Sequence, residues 1–469
     1  MSGSVEHQLV QSGDQPLRLG RRRTYPSPAA FGRLAARRGA VTRVARRLAA
    51  AAVAAALTLT QGTAHAEQPG ARQASVEMPA LSGLGDYGVG TEYQEMAVGA
   101  RSVGIRIWYP ATASASTLPT TYRHTHTLPG QRPIELAATG IAVVGAPPAT
   151  SLKYPLVVIS HGYGGWAEHF SGLGEALASR GYIVASIDHR DLPFSDTASF
   201  ATSFGTVLLT RSSDQQQVMQ ALLTGKLAAP AIAARIDGSA VGLIGYSMGG
   251  YGALISAGAA IDPVAPAFAQ LPPAVRSTMP APDPSLASQI TAIVAIAPWG
   301  GQPEAGVWSD AELSKLKTPL LFISGDGDDV VDFKQGVQRL FEQSKGSSRH
   351  LLVFREAAHN IAGNALPLPP NAEFAVIESL TDPVWRKDRI AAINQHFIVA
   401  FLDRQLKGDS SKSAYLDLPS AVSNDGQWPS RFGQQWGGQV AGDNQPEYWR
   451  GFQRRWARGL EMHHKKAGE

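Results

Sequence analysis

The chain has 469 residues, contains no cysteine and carries 42 Lys and Arg side chains against 38 Asp and Glu side chains. A hydrophobic content of 44% in a chain of this length is sufficient for a large core. The lack of cysteine excludes a thiolate nucleophile, a disulfide and a cysteine-ligated metal or iron–sulfur site.

The positive net charge of +4 is concentrated at the amino terminus. Residues 1–66 hold ten Arg, no Lys and two acidic side chains. This leaves 32 basic and 36 acidic side chains, a net charge of −4, in residues 67–469. A nucleic-acid partner would require a basic surface on the folded part of the chain. We therefore expect no nucleic-acid partner.

Residues 1–66 form a leader that ends in the pattern of a secretory signal peptide. Three arginines precede an apolar run at 48–60, and small residues follow at 64–66. These 13 apolar residues are fewer than the about 20 that a helix needs to cross a membrane. We expect a cleaved leader, no stable membrane span, and an exported protein that is periplasmic or extracellular.

From about residue 100 onward, short apolar strands alternate with helical periods, which is typical of a mostly parallel sheet with helices on both faces. Strands are predicted at 103–109, 156–160, 182–187, 240–244, 290–297, 319–324 and 351–354. Helices are predicted at 166–180, 218–227, 248–259, 332–344 and 388–406.

These elements place a catalytic domain at 100–410, preceded by an N-terminal extension at 67–100. A Pro- and Ala-rich insertion at 261–287 is a candidate lid. The C-terminal extension at 411–469 contains four of the nine tryptophans. Because a disordered tail rarely concentrates aromatic residues, we expect this extension to pack on the core.

Ser247 lies in a Gly-x-Ser-x-Gly pentapeptide between a predicted strand and a predicted helix. Glycines on both sides of a serine permit the strained strand-to-helix turn of a nucleophile elbow, which exposes the hydroxyl group. The pentapeptide also arises by chance in a chain with 48 glycines, so its placement carries the argument. Ser247 is therefore the candidate nucleophile.

A glycine-rich turn at 161–165 follows the predicted strand at 156–160. Such a turn lets backbone N–H groups approach a substrate carbonyl oxygen, as in an oxyanion hole. An ordinary strand-to-helix turn is the alternative. The pairing of this turn with the serine pentapeptide favours the oxyanion hole.

A candidate base and its orienting acid also follow predicted strands. Asp326, Asp328 and Asp329 come after the strand at 319–324, and His359 comes after the last one. A serine nucleophile needs such a base, and the base needs an acid that orients it. The chain order Ser, Asp, His is that of α/β-hydrolases, and it leaves the three carboxylates as alternatives.

Longer motifs surround these residues: Ser-His-Gly-Tyr-Gly-Gly at 160–165, Leu-Ala-Ser-Arg-Gly-Tyr at 177–182 and Asp-His-Arg-Asp at 188–191. With them, the chain resembles bacterial dienelactone-hydrolase-like esterases of the platelet-activating factor acetylhydrolase group. The resemblance includes Trp-Tyr-Pro at 108–110 and covers about residues 100–410. It implies an α/β-hydrolase fold and a serine esterase that needs no metal or organic cofactor.

Carried over residue by residue, the resemblance implies Ser247 as the nucleophile and His359 as the general base. It implies Asp328 as the orienting acid, because that family places its acid three residues after a strand-end glycine. The backbone N–H groups of Tyr163 and Met248 would form the oxyanion hole. Short-chain esters are the expected substrates, including acetyl phospholipids of the 1-alkyl-2-acetylglycerophosphocholine type and oxidised phospholipids.

Three aromatic residues, Trp166, Tyr246 and Trp299, are predicted to line the substrate cleft, with core packing as an equal alternative. With Tyr-Ser-Met-Gly-Gly at 246–250 and Ala-Pro-Trp at 297–299, the chain is also similar to bacterial cutinase-like polyester hydrolases. Those enzymes usually carry a disulfide and lack the Asp-His-Arg-Asp motif. Dienelactone hydrolases proper use a cysteine nucleophile, which this chain does not have.

Two other functions share these motifs. An acyltransferase would use the same three residues with an alcohol as the second acceptor, and the sequence does not separate it from a hydrolase. A non-catalytic binding protein on this fold usually lacks one of the three, whereas all three are present here.

The remaining histidines indicate structural roles. His161 is assigned to the architecture of its turn, and His189 to a structural network with the two residues that follow it. His124 and His126 are predicted to lie in a solvated loop, and the pair at 463–464 in a polar terminus. No metal site is predicted.

Overall fold

A ten-stranded mixed sheet forms the centre of the computed structural model. The structure describes residues 79–112, 118–149, 152–269, 271, 273–276, 278–426, 448–453 and 455–469, all within the unit Pro69–Glu469. The predicted leader, Trp428 and Trp436 lie outside the described residues.

The strands are β1 (Gly88–Val98), β2 (Arg101–Ala111), β3 (Thr121–His126), β4 (Ile134–Thr139), β5 (Val143–Val144), β6 (Tyr154–Ser160), β7 (Ile183–Asp188), β8 (Ile236–Tyr246), β9 (Ile290–Ile296), β10 (Leu320–Gly325), β11 (Arg349–Phe354) and β12 (Leu460–Lys465). Their order in the sheet is β12-β11-β10-β9-β8-β6-β7-β2-β1-β5, and β3 pairs with β4 in a separate hairpin.

The α-helices are α1 (Ser171–Ser179), α2 (Thr197–Leu223), α3 (Pro230–Ala233), α4 (Met248–Ser256), α5 (Pro273–Arg276), α6 (Pro284–Ala287), α7 (Asp310–Leu313), α8 (Arg339–Gln343), α9 (Phe374–Leu380) and α10 (Lys387–Leu406). A π-helical turn, Phe333–Gln338, leads into α8. No helix among the described residues is long and apolar enough to cross a membrane.

Six neighbouring strands, from β11 to β7, are parallel and form the core of the sheet. Helices cover both of their faces, so these strands consist of nearly continuous apolar runs instead of alternating ones. All seven residues of β6 and all six of β10 and β11 are buried. The predicted strands in this part of the chain are confirmed, with shifts of a few residues at their ends.

The chain direction across the sheet reverses between β6 and β8. The chain passes from β6 to β7 on one side and returns through α2 to β8 on the other side of β6. Because such crossovers are right-handed, α1 packs with α10 on one face and α2 packs with α4 on the other. In open sheets of this kind, ligands bind at the carboxyl ends of the strands beside the reversal. This is an α/β-hydrolase fold.

Three elements differ from the sequence-based expectation. Residues 88–98, assigned to the N-terminal extension, form β1, which pairs with β2 over its whole length. The segment at 218–227, predicted as part of a helix, is the end of the longer helix α2, which begins at Thr197 behind a capping box of Asp196 and Ser199. The pair at 463–464 was expected in a polar terminus and instead lies in β12, which is antiparallel to β11.

The described part of the C-terminal extension packs on the core. Trp449 is buried, and its ring meets the rings of Phe397 and Phe452. The indole N–H of Trp449 donates to the carbonyl of Ser420 at 3.0 Å. This segment brings the chain back to the sheet edge, where β12 begins.

Candidate active site

Ser247 occupies the turn between β8 and α4 in a left-handed backbone conformation, with φ 51° and ψ −114°. Such angles are unfavourable for a residue with a side chain and are typical of a nucleophile elbow. The flanking glycines make the turn possible. A Cβ at Gly245 would lie 2.2 Å from the carbonyl oxygen of Gly249, and a Cβ at Gly249 would lie 2.0 Å from that of Ser160.

The side chains of Ser247, His359 and Asp328 form one hydrogen-bonded chain, here named the Ser247 chain. The Oγ of Ser247 lies 3.0 Å from Nε2 of His359. The Nδ1 of His359 lies 2.8 Å from Oδ2 of Asp328. Since an ionised carboxylate only accepts hydrogen bonds, Nδ1 carries the proton and Nε2 accepts from the serine hydroxyl. Ser247 and His359, which are 112 positions apart in the sequence, thus lie in contact.

Asp328 is held in place by the turn that follows β10. Its other carboxylate oxygen, Oδ1, accepts from the backbone N–H groups of Val330 and Val331 at 3.0 and 3.1 Å. The two alternative acids lie elsewhere. Asp326 accepts from the backbone N–H of Glu356 and pairs with Arg355, and Asp329 is exposed. Of the three carboxylates, the structure brings Asp328 to His359.

Two side chains hold the loop that carries His359. Asp382 accepts from the backbone N–H of Ala358 at 2.8 Å, and the ammonium of Lys387 donates to the carbonyl of Asn360 at 2.9 Å. Burial lowers the pKa of Lys387 to about 8. Sequence analysis did not identify these two residues, because nothing in the local sequence links them to a loop more than 20 positions away.

The predicted oxyanion turn lies directly against Ser247. A Cβ added at Gly162 would lie 3.2 Å from the Cβ of Ser247, so the backbone here passes as close as a glycine allows. Gly164 has φ +67°, and its N–H donates to Asp191 at 2.9 Å. The amides of Tyr163 and Met248 therefore belong to two segments that meet at the serine.

A second Ser–His–Asp arrangement, here named the Ser160 chain, lies buried in the core. Ser160 Oγ is 2.8 Å from Nε2 of His189, and Nδ1 of His189 is 3.0 Å from Oδ2 of Asp214. Asp214 also pairs with Arg101 at 2.5 Å. Burial and the nearby Arg211 guanidinium hold the pKa of His189 well below its ordinary value.

His161 joins the Ser160 chain to the oxyanion turn. Its Nε2 accepts from the backbone N–H of His189 at 3.1 Å, and its Nδ1 lies 2.6 Å from the carbonyl oxygen of Gly162. Burial lowers the pKa of His161 to about 4. The structural network expected around His189 is thus present. Asp214 was missed as its acid, and the neighbouring Asp191 pairs with Arg211 instead.

A cluster of aromatic rings is linked to Ser247 through the backbone of Trp299. The backbone N–H of Trp299 donates to the carbonyl of Ser247 at 3.1 Å, and its ring meets that of Phe204 with 5.3 Å between centroids. The ring of Phe204 in turn packs against Tyr163 and Phe200. We call these four residues the aromatic wall. Its Phe members were not predicted, since they lie in the part of α2 that sequence analysis left unassigned.

The two other aromatic residues predicted at the cleft differ in their surroundings. Tyr246 precedes Ser247, and its ring lies 5.2 Å from the imidazole of His359. Trp166 is buried between His124 and His169, which stack on it at 3.8 and 4.5 Å. Both faces of the Trp166 indole are thus covered. His124 lies in β3, which corrects the expectation of a solvated loop.

One segment of the chain matches a known family. Residues 136–220 match the model described as platelet-activating factor acetylhydrolase, isoform II. Over this segment, the chain is similar to those acetylhydrolases. The match includes the oxyanion turn and the Asp-His-Arg-Asp motif but ends before Ser247, Asp328 and His359. The similarity to acetylhydrolases therefore covers the proposed oxyanion turn but none of the three residues of the Ser247 chain.

Individual relatives match over shorter stretches. A platelet-activating factor acetylhydrolase of Canis lupus familiaris is 49% identical over 55 residues, which are 12% of this chain and 12% of that protein. The proteins of the same name from Cavia porcellus and Bos taurus are 48% identical over 46 residues and 47% over 51 residues. These matches cover 10% and 11% of this chain and 11% and 12% of the two relatives. The chain thus aligns with about an eighth of the length of the acetylhydrolases it matches.

Proposed function

We propose that the protein is a serine carboxylic-ester hydrolase that acts through an acyl-enzyme. The observation that carries the proposal is the Ser247 chain, in which a strained serine is hydrogen-bonded to an imidazole whose other nitrogen meets a carboxylate. A serine hydroxyl is a weak nucleophile without a positioned base, and this chain supplies one. The similarity to acetylhydrolases supports the same reaction class.

In the proposed reaction, Oγ of Ser247 attacks the ester carbonyl carbon while Nε2 of His359 takes the hydroxyl proton. Asp328 holds the imidazole in the required tautomer and stabilises the imidazolium. His359 then gives its proton to the leaving alkoxide, which departs as the alcohol and leaves an ester on Ser247. A water molecule, deprotonated by His359, repeats the attack and releases the carboxylic acid.

The negative charge of each tetrahedral intermediate needs hydrogen-bond donors that are already in position. We assign this role to the backbone N–H groups of Tyr163 and Met248, because their two segments meet at Ser247. One such donor is worth about 100- to 1000-fold in rate. Gly162 allows the backbone of the turn to lie close to Ser247, and Gly164 adopts the positive φ of +67° within the turn.

The choice of acyl group follows from the similar proteins, which are named acetylhydrolases. The aromatic wall is linked to Ser247 through the backbone N–H of Trp299 and is apolar, which is compatible with an acyl chain. We therefore propose acetyl and other short-chain esters as substrates. Acetyl and oxidised phospholipids belong to this class, in keeping with the name of the similar proteins.

The test is ester hydrolysis by the full chain and by Ser247→Ala, with p-nitrophenyl acetate, butyrate and a long-chain ester. We expect a preference for acetate and a loss of about 10⁴-fold or more in kcat in the variant. A fluorophosphonate probe should label Ser247, as located by mass spectrometry. Label on Ser160 instead, or full activity in Ser247→Ala, would overturn the proposal.

Product analysis with an added alcohol separates hydrolysis from acyl transfer. A hydrolase releases the free acid as its main product at moderate alcohol concentrations, whereas a transferase forms the new ester. Thermal unfolding of Ser247→Ala is the control for folding, since the loss of one hydroxyl group that bonds only to His359 should change Tm by only a few degrees.

A further inference from the structure

Two histidines and an aspartate meet at the edge of the sheet far from Ser247. His350 is the second residue of β11, and His464 is its direct partner on β12. Asp417 follows the 3₁₀ turn Ser410–Tyr415, which comes after α10. The Ser247 chain lies at the carboxyl ends of the parallel strands, whereas His350 lies at the amino end of β11.

The donor atoms of these three residues have the spacing of metal ligands. Oδ1 of Asp417 lies 3.8 Å from Nε2 of His350 and 3.5 Å from Nδ1 of His464. One ligand atom from each residue lies within 4.8 Å of the others. A tetrahedral Zn²⁺ with bonds of 2.0–2.2 Å holds neighbouring donor atoms about 3.4 Å apart. No other such group of three is found among the described residues.

His350 supplies an independent sign of a missing ligand. Its side chain is 2% exposed, and neither ring nitrogen has a hydrogen-bond partner within the described residues. A neutral imidazole has one N–H donor and one lone pair, and leaving such groups buried and unpaired is costly. A bound cation would take up the lone pair of the ring.

Each of the other two residues has one further contact. Nε2 of His464 lies 3.4 Å from the hydroxyl of Ser348, which leaves Nδ1 facing Asp417. The guanidinium of Arg404 lies 3.5 Å from Oδ2 of Asp417, on the oxygen that does not face the histidines. The ion pair with Arg404 holds the carboxylate of Asp417 beside the histidines, whereas the long contact with Ser348 still lets the His464 ring turn.

We propose that His350, Asp417 and His464 bind one Zn²⁺ ion, with water as the fourth ligand. Neutral imidazole and carboxylate are suitable donors for zinc. The two rings lie stacked, 4.1 Å apart and 4° from parallel, so binding requires one of them to turn. His464 can turn because its side chain is 29% exposed. The ion joins β11, β12 and the segment after α10, and so fastens the C-terminal strand to the sheet.

The experiment is titration of chelator-treated, full-length protein with ZnCl₂ by calorimetry, followed by Co²⁺ substitution and visible absorption. We expect one Zn²⁺ per chain, a tetrahedral Co²⁺ spectrum and a rise in Tm of about 3 °C at a hundredfold excess over Kd. His464→Gln and Asp417→Asn should weaken binding by about 100-fold or more, since each removes a ligand.

His463→Gln is the matched control, because His463 is the neighbour of His464 on the opposite face of β12 and pairs with Glu461 at 2.9 Å. This variant should bind Zn²⁺ as the unmodified protein does. The proposal is overturned if the unmodified protein binds no Zn²⁺, or if His463→Gln and His464→Gln lose affinity equally. Esterase activity is a separate readout, so neither result bears on the role of Ser247.

Discussion

The protein contains two Ser–His–Asp chains with nearly equal bond lengths and different surroundings. In the Ser247 chain the serine–histidine and histidine–aspartate distances are 3.0 and 2.8 Å, and in the Ser160 chain they are 2.8 and 3.0 Å. Distances alone would not tell which of the two is a catalytic site.

Backbone and burial separate them. Ser160 is the last residue of an extended strand and is 0% exposed, whereas Ser247 stands in a left-handed turn and is 7% exposed. Asp214 pairs with Arg101, whereas Asp328 is held by backbone N–H groups. A hydrogen-bonded triad becomes chemically useful through a turn that presents the serine to a ligand. A triad inside a strand can only stabilise.

The largest effects, on kcat or on the free energy of unfolding, are expected from substitution of the two aspartates. Asp328→Asn should lower kcat by about 10⁴-fold with little change in Tm, because the amide favours the wrong tautomer of His359. Asp214→Asn should instead lower the free energy of unfolding by about 2 kcal/mol, because it removes the buried carboxylate that pairs with the half-buried Arg101 and with His189. Steady-state kinetics and urea unfolding of both variants test this contrast.

The contrast fails if Asp214→Asn loses activity as strongly as Asp328→Asn while it remains folded. Activities are therefore compared per folded molecule at a temperature well below both transitions. In that case, the Ser160 chain would be part of the catalytic machinery and not only a support for the oxyanion turn.

A smaller effect is expected from acid. The folded state depresses the pKa of His161 to about 4, whereas the unfolded chain has a value near 6.5, so below that pH the unfolded chain binds more protons. Stability from His161 is complete above about pH 6.5 and is lost as the pH falls towards 4. At pH 5 the loss is about 2 kcal/mol.

Burial raises the pKa of Asp188 to about 6, which acts in the opposite direction below that pH. The contribution of His161 is therefore isolated by comparison with His161→Gln. Between pH 7.5 and pH 5, the free energy of unfolding should fall by about 2 kcal/mol less in the variant than in the unmodified protein. Equal slopes in both proteins would contradict a neutral, buried His161.

The smallest effect is expected at Asp329, which lies next to Asp328 but is exposed. Asp329→Asn should change kcat by less than about threefold and the unfolding free energy by less than about 0.5 kcal/mol. The assay is the same as for Asp328→Asn. A large loss of activity would show that the wrong carboxylate has been assigned to His359.

The parallel strands could be predicted from the sequence because they are buried on both faces and therefore apolar throughout. The turn at Ser247 could be predicted for the same reason, since a glycine-rich turn follows one of these strands. Strands β1 and β12 were missed because they lie near the sheet edges and alternate polar with apolar residues. The first part of α2 carries Phe200, Phe204, Val207 and Leu208 at helical spacing, but small and polar residues separate them, and a capping box sets the start of the helix.

The Ser160 chain had no local signal at all. Its histidine lies 29 positions from the serine and 25 from the aspartate, and only the packing of α2 against the sheet brings the last of these into reach. The same holds for His350 and Asp417, which are 67 positions apart. Contacts of this kind depend on the arrangement of whole elements, which composition and periodicity do not specify.

The edge strand β12 also prevents the central sheet from pairing with strands of other chains. It covers β11, whose six residues are all buried and include no proline. An uncovered strand of this composition is a template for pairing with other chains and for fibril growth. The outer strand instead carries Glu461, His463 and Lys465, charged or titratable groups that oppose further pairing. A chain that ends before Leu460 is therefore expected to aggregate through the exposed edge of β11. Such aggregation would not indicate a change at the carboxyl ends of the strands, where Ser247 lies.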